Sequence, residues 1–175
     1  SIDKALKVWT DSEKLSWTEF QQNGVIRGLK NRKFWAKRWY AHMHSSEILI
    51  DLSCLKTVSF SSEIFEPLYF VQLERNTDIQ PGGEQLALAV LNDFINNRSK
   101  QYAYLISKPN ESRISCSRLS THIAWGNLSV RQVYQAAFEA KTRGNKRNLN
   151  AFLSRLRWHC HFIQKFEQEV EMEYL

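Results

Sequence analysis

The residues best suited to chemistry lie close together, between Ser115 and Ser129. Ser115, Cys116, Ser117, Arg118, Leu119, Ser120 and Thr121 make a hydroxyl-rich approach. A short amphipathic segment follows, Gly126 stops it, and Asn127-Leu128-Ser129 opens a new element. Ser117 and Ser120 are good helix N-caps, and Ser129 can cap a helix that begins at Val130. Free backbone N–H groups and hydroxyls at a helix start form a cradle for phosphate oxygens. The guanidinium of Arg118 adds a forked positive charge to it. The same residues also suit a tight turn between two core helices, and their spacing alone does not separate the two readings.

A second group sits near the C-terminal end. Leu149, Phe152, Leu153, Leu156, Cys160 and Ile163 make a regular apolar stripe. Phe152, Arg155 and His159 share a helical face at i, i+3 and i+7, with Trp158 near the same rim. His159-Cys160-His161 does not read as a metal site, because adjacent residues on a helix diverge. His42 and His44 fail on the same ground. No Gly-rich nucleotide loop and no Ser/His/Asp arrangement is present. The carboxylates of Glu167, Glu169, Glu171 and Glu173 read as a solvated, fraying tail.

These groups need a scaffold, and the composition supplies one. The chain has 175 residues, enough for one core, and is 43% hydrophobic with 6 Trp, 6 Tyr and 10 Phe. A formal charge of +6 favours an anionic partner such as nucleic acid or a phosphorylated cofactor. The 3 Cys, Cys54, Cys116 and Cys160, show neither metal spacing nor a disulfide framework, which points to a reducing, cytoplasmic setting. No apolar run approaches a membrane span.

Periodicity predicts helices over 1–14, over 30–44 with an inward stripe of Trp35, Trp39 and Met43, and from Glu84 through Leu86, Val90, Leu91 and Phe94. Further helices are predicted over 101–107, stopped by Pro109, from Val130 through Val133, Tyr134, Ala137 and Phe138, and around the last stripe. Leu15 to Phe20 alternates and reads as a short strand. Residues 45–80 lose helical period and read as a connector. The basic residues and aromatics of 30–44 suit either a nucleic-acid surface or the solvated side of a core helix.

Several of these stretches, in order, resemble the DNA photolyase/cryptochrome family. Ser117-Arg118-Leu119-Ser120, followed by Gly126, Leu128-Ser129 and Arg131, is similar to that family's flavin-phosphate segment. Gln22 to Arg27 resembles the stretch before its interdomain linker, and Pro81-Gly82-Gly83-Glu84 the opening of its helical domain. Arg155-Leu156-Arg157-Trp158-His159 falls where the family has a Trp-Arg-Glu-Phe-type helix. The resemblance implies a mainly α, incomplete photolyase/cryptochrome fold: an α/β antenna remnant over 1–47, a linker over 48–80 and part of the helical FAD-binding domain over 81–175. The chain then reads as an internal portion of a longer flavoprotein, inactive by itself, whose exposed apolar faces favour self-association.

The resemblance further implies FAD as cofactor, with an antenna chromophore elsewhere in the whole protein, and UV-damaged DNA as partner. It assigns cofactor contacts to Tyr102, Cys116, Ser117, Arg118, Leu119, Ser120, Phe152 and His159, and lesion contacts to Arg155 and Trp158. Three positions depart from the family: Cys116 replaces a common Thr, Arg155 a Glu and His159 an Arg. Arg155 cannot accept a hydrogen bond from a lesion. A blue-light photoreceptor without repair activity is therefore a second expectation, and a non-enzymatic, basic, helical DNA-binding module a third.

Overall fold

A computed structural model describes residues 2–48, 51, 53, 55–56 and 79–174, without the side chains of Glu173 and Tyr174. The connector expected over 48–80 lies largely outside the described residues. These form eight α-helices: α1 (Ile2–Ser12), α2 (Trp35–His44), α3 (Glu84–Asn96), α4 (Tyr102–Leu105), α5 (Pro109–Ser115), α6 (Ser120–Ala124), α7 (Val130–Arg143) and α8 (Lys146–Gln168). Short 3₁₀ turns cover Arg98–Gln101 and Val170–Tyr174. The fold is mainly α, and among the described residues no helix is long and apolar enough to cross a membrane.

The expected α/β remnant is absent among the described residues. Leu15–Phe20 is irregular and exposed throughout. An alternating pattern becomes a strand only where a neighbour takes its backbone hydrogen bonds, and none of the described residues offers one. Leu15 N–H instead donates back to Thr10 O at 2.8 Å, while Lys14, at φ 55°, turns the chain off α1. Nor does α1 bury an apolar face: Leu6, Val8 and Trp9 are exposed, and Thr10 is its buried residue.

The chain divides into two compact units, residues 1–43 with 154–175, and residues 44–153. In the first, the Trp35, Trp39 and Met43 stripe of α2 is buried as its spacing predicts. Trp35 Nε1 donates to Gly24 O at 3.1 Å and the ring stands 6.3 Å from that of Trp39. From α8 the unit buries Leu156, Cys160 and Gln164, whereas Ile163, expected inside, is partly exposed. Gln164 is 0% exposed because it is fully used. Its Oε1 accepts from Ile26 N–H at 2.7 Å and its Nε2 donates to Ile26 O at 2.9 Å. That pairing replaces the backbone ladder which an irregular segment lacks.

The acidic end does not fray as its composition suggests. Glu169 pairs with Arg32 at 2.9 Å, and Arg27 gathers Asp3, Glu19 and Glu167 around it. Those carboxylates hold the Arg27 guanidinium above its usual pKa, with the Asp3 hydrogen bond as the largest cause.

The second unit packs α3 to α7 with the first turns of α8. Its core includes Ala87, Leu91, Phe94, Leu119, Leu128, Val133, Tyr134 and Ala137, while Leu86 stays exposed. The helix before Pro109 stops as expected, with Lys108 extended, but sequence periodicity misses α5, which Pro109 also starts at its first turn, where a missing N–H costs nothing. The expected cap at Ser129 forms a full capping box with Gln132.

Gly24 sits hard against the Trp39 ring. Its φ is 67°, and a Cβ there would lie 2.5 Å from Trp39 Cδ1, on a ring that is 0% exposed and has nowhere to retreat. Gly24→Ala should therefore lower the free energy of unfolding by about 2–4 kcal/mol, combining left-handed strain with overpacking. Urea titration of the two proteins measures it, and equal midpoints would contradict this packing.

Candidate functional site

The bend between α5 and α6 is built by its neighbours rather than by itself. Cys116 leaves α5 in an extended conformation, Arg118 turns left-handed at φ 56°, and Leu119 returns to helical angles. A left-handed arginine is uncommon and must be held in place by its surroundings. Arg98 does most of this. Its guanidinium donates to Cys116 O, to Ser117 O at 3.3 Å and to Val90 O at 3.0 Å, and its Nε meets Asp93 Oδ2 at 2.5 Å. It also lies over the Phe94 ring at 5.7 Å. Hydrogen bonds from Asn97 and from Arg98 hold the Asp93 carboxyl below the usual carboxylate range.

Gln80 holds the next carbonyl. Its Nε2 has two hydrogens and two acceptors, Arg118 O at 2.9 Å and His122 Nε2 at 2.8 Å. His122 is 2% exposed, and its Nδ1 lies 3.1 Å from Asn127 Oδ1, which also accepts from Gly83 N–H at 3.2 Å. An acceptor at Asn127 and a donor at Gln80 assign the His122 proton to Nδ1. Sequence reasoning missed both Arg98 and His122. The one available signal was His122 on the inward side of a segment otherwise capped and closed as a turn.

With its carbonyls engaged, the bend leaves its other polar groups free. The α6 start has no side-chain cap, so neither Ser117 nor Ser120 caps it as expected; Leu119 occupies the cap position. Among the described residues, the Ser117 and Ser120 hydroxyls and the Arg118 guanidinium make no hydrogen bond or ion pair. Ser117 and Arg118 are half-buried and Ser120 is exposed. A fixed cation, two hydroxyls and uncapped N–H groups form a donor set suited to an anion.

The remaining predicted residues fall into two places. Tyr102 and Phe152 are brought together: their rings meet edge-on at 5.7 Å and both contact Phe94, at 5.5 and 4.7 Å. Both are buried, as is Leu119. This aromatic cluster lies beneath the Arg98 that ties down the bend. Arg155, Trp158 and His159 belong to the other unit, exposed on α8, with Arg155 over the Trp158 ring at 5.9 Å. Cys160, beside His159, is buried and its neighbour His161 lies against Trp35 at 5.5 Å, so the three residues diverge.

Comparisons of this chain with protein-family models, with curated proteins and with solved structures found no match. The site is therefore read from its own geometry. Two measurements address how it is held. Arg98→Ala removes the shared donor of three carbonyls and should cost about 2–4 kcal/mol in a denaturant titration; an unchanged stability would mean that the bend supports itself.

Burial pushes the Cys160 thiol up to about 11 against the opposing effect of a hydrogen bond with Trp39. The folded state thus keeps its proton where the unfolded chain has lost it. Its contribution to stability is complete below the unfolded value, near 9, and is lost as pH rises through about 11. Melting curves across that window should show a decline that Cys160→Ala lacks; identical alkaline limbs would contradict the assignment.

Proposed function

We propose that this chain is part of a photolyase-like flavoprotein and that the Cys116–Ser120 bend grips the diphosphate of FAD. The observation that carries the reading is the division of labour in the bend. Arg98 and Gln80 take its carbonyls, while Arg118, Ser117 and Ser120 retain their donors. The sequence resemblance adds the identity of the anion, which geometry by itself would leave as any phosphate.

In this reading Arg118 supplies the fixed charge and the hydroxyls of Ser117 and Ser120 orient phosphate oxygens. Cys116, where the resembling family commonly has Thr, offers a weaker donor. Tyr102 and Phe152 act from below through the Phe94 cluster, and the buried Leu119 backs the bend itself, keeping water out of the site's floor. Bound FAD would supply the light-driven electron transfer, with UV-damaged DNA as the acceptor of that chemistry. Trp158 would stack on an extruded base and Arg155 would hold its phosphates.

Arg155 also favours a second reading. A cation over Trp158 takes the position of a family carboxylate that hydrogen-bonds the lesion, so a photoreceptor that signals rather than repairs is the alternative. Light-dependent repair of a dimer-containing oligonucleotide separates the two.

Titration with FAD, followed by flavin absorbance and fluorescence, tests the principal reading. Binding should be reversible, and Arg118→Ala should weaken it about 10- to 100-fold, the loss expected for charge-assisted hydrogen bonds. Absence of flavin binding, or an unchanged affinity in the variant, would contradict the proposal.

A further inference from the structure

Between Glu19 and Glu47 the sequence has no Asp or Glu but carries Arg27, Lys30, Arg32, Lys33, Lys37 and Arg38. Two of these cations are neutralised, Arg27 by Asp3 and Glu19, and Arg32 by Glu169. The other four pair with no carboxylate among the described residues. Lys37 and Arg38 are exposed on α2, whose Trp35, Trp39 and Met43 stripe is buried, and Lys30 and Lys33 are exposed in the segment just before that helix. Among the cations stands Phe34, 65% exposed, with Lys33 Nζ 5.6 Å from its ring centroid. A hollow of about 240 Å³ opens beside it, lined by Leu29, Asn31, Phe34, Trp35 and Arg38 among others.

We propose that this surface binds single-stranded nucleic acid, with Lys30, Lys33, Lys37 and Arg38 on backbone phosphates and a base against Phe34. Unpaired cations along one side with an exposed aromatic ring among them are the two parts such binding needs. A duplex fits less well, since its bases are stacked on each other and unavailable to Phe34. An anionic membrane also fits less well. A helix that lies on lipid presents its apolar face, and α2 has already buried that face in its own core. The surface lies in the unit that does not contain the bend, and the inference does not rest on the flavin reading.

Fluorescence anisotropy of a labelled oligothymidylate of about 20 nucleotides, longer than one binding site, tests it on the flavin-free chain. Four phosphate contacts predict a fall in affinity of about 50-fold between about 50 and about 200 mM salt. Lys33→Gln combined with Lys37→Gln should reduce that fall to about sevenfold. Phe34→Ala should weaken binding about 5- to 100-fold and leave the salt dependence alone. Melting temperatures of these variants should match the parent, as the side chains are exposed. No binding, an unaltered salt dependence in the double variant, or capture by phosphatidylserine vesicles without capture of the oligonucleotide would overturn the proposal.

Discussion

The guanidinium of Arg98 is the point on which the second unit's most unusual backbone depends. It reaches from the turn after α3 to the carbonyls of Cys116 and Ser117, and stays in place through Asp93 and the Phe94 ring. A left-handed residue inside a two-helix junction is costly unless its neighbours over-determine it. Here they do so from one side. Because the carbonyls face Arg98 and Gln80, donors are what the bend has left over, and donors are what an anion needs. The polarity of the site follows from the direction in which its scaffold is tied.

The first unit solves a related problem with different chemistry. An irregular run from Glu13 to Phe34 carries many backbone groups and little regular structure to satisfy them. Gln164 pairs with both backbone groups of Ile26, Trp35 ties down Gly24, and the acidic end of the chain is gathered by Arg27 and Arg32. In both units side chains stand in for backbone partners, so single substitutions at these residues act on long stretches of chain.

What could be read from the sequence was whatever depends on local spacing. The stripes of α2, most of α7 and most of α8 are legible at helical period, and so is the cap at Ser129. The failures share a cause: they depend on partners distant in sequence. Leu15–Phe20 alternates like a strand but finds no neighbour to pair with among the described residues. Gln164 is buried against Ile26, 138 positions away, a partner that nothing in its local pattern announces. Arg98 and Cys116 are 18 apart, and nothing in either residue's surroundings announces the other. Pro109 was legible as a stop but not as a start, because proline both ends helices and starts them. Of the site, Ser117, Arg118 and Ser120 were legible as donors, whereas what orients them was not.

The central claim is that a bend tied down by its carbonyls presents its donors to a pyrophosphate. Backbone amide chemical shifts, followed by NMR as inorganic pyrophosphate is added, test it most directly. The amides of Ser117, Arg118, Leu119, Ser120 and Thr121 should move together along one saturable curve, which Arg118→Ala should shift to higher pyrophosphate concentration. Shifts confined to other parts of the chain, or none that saturate, would contradict it.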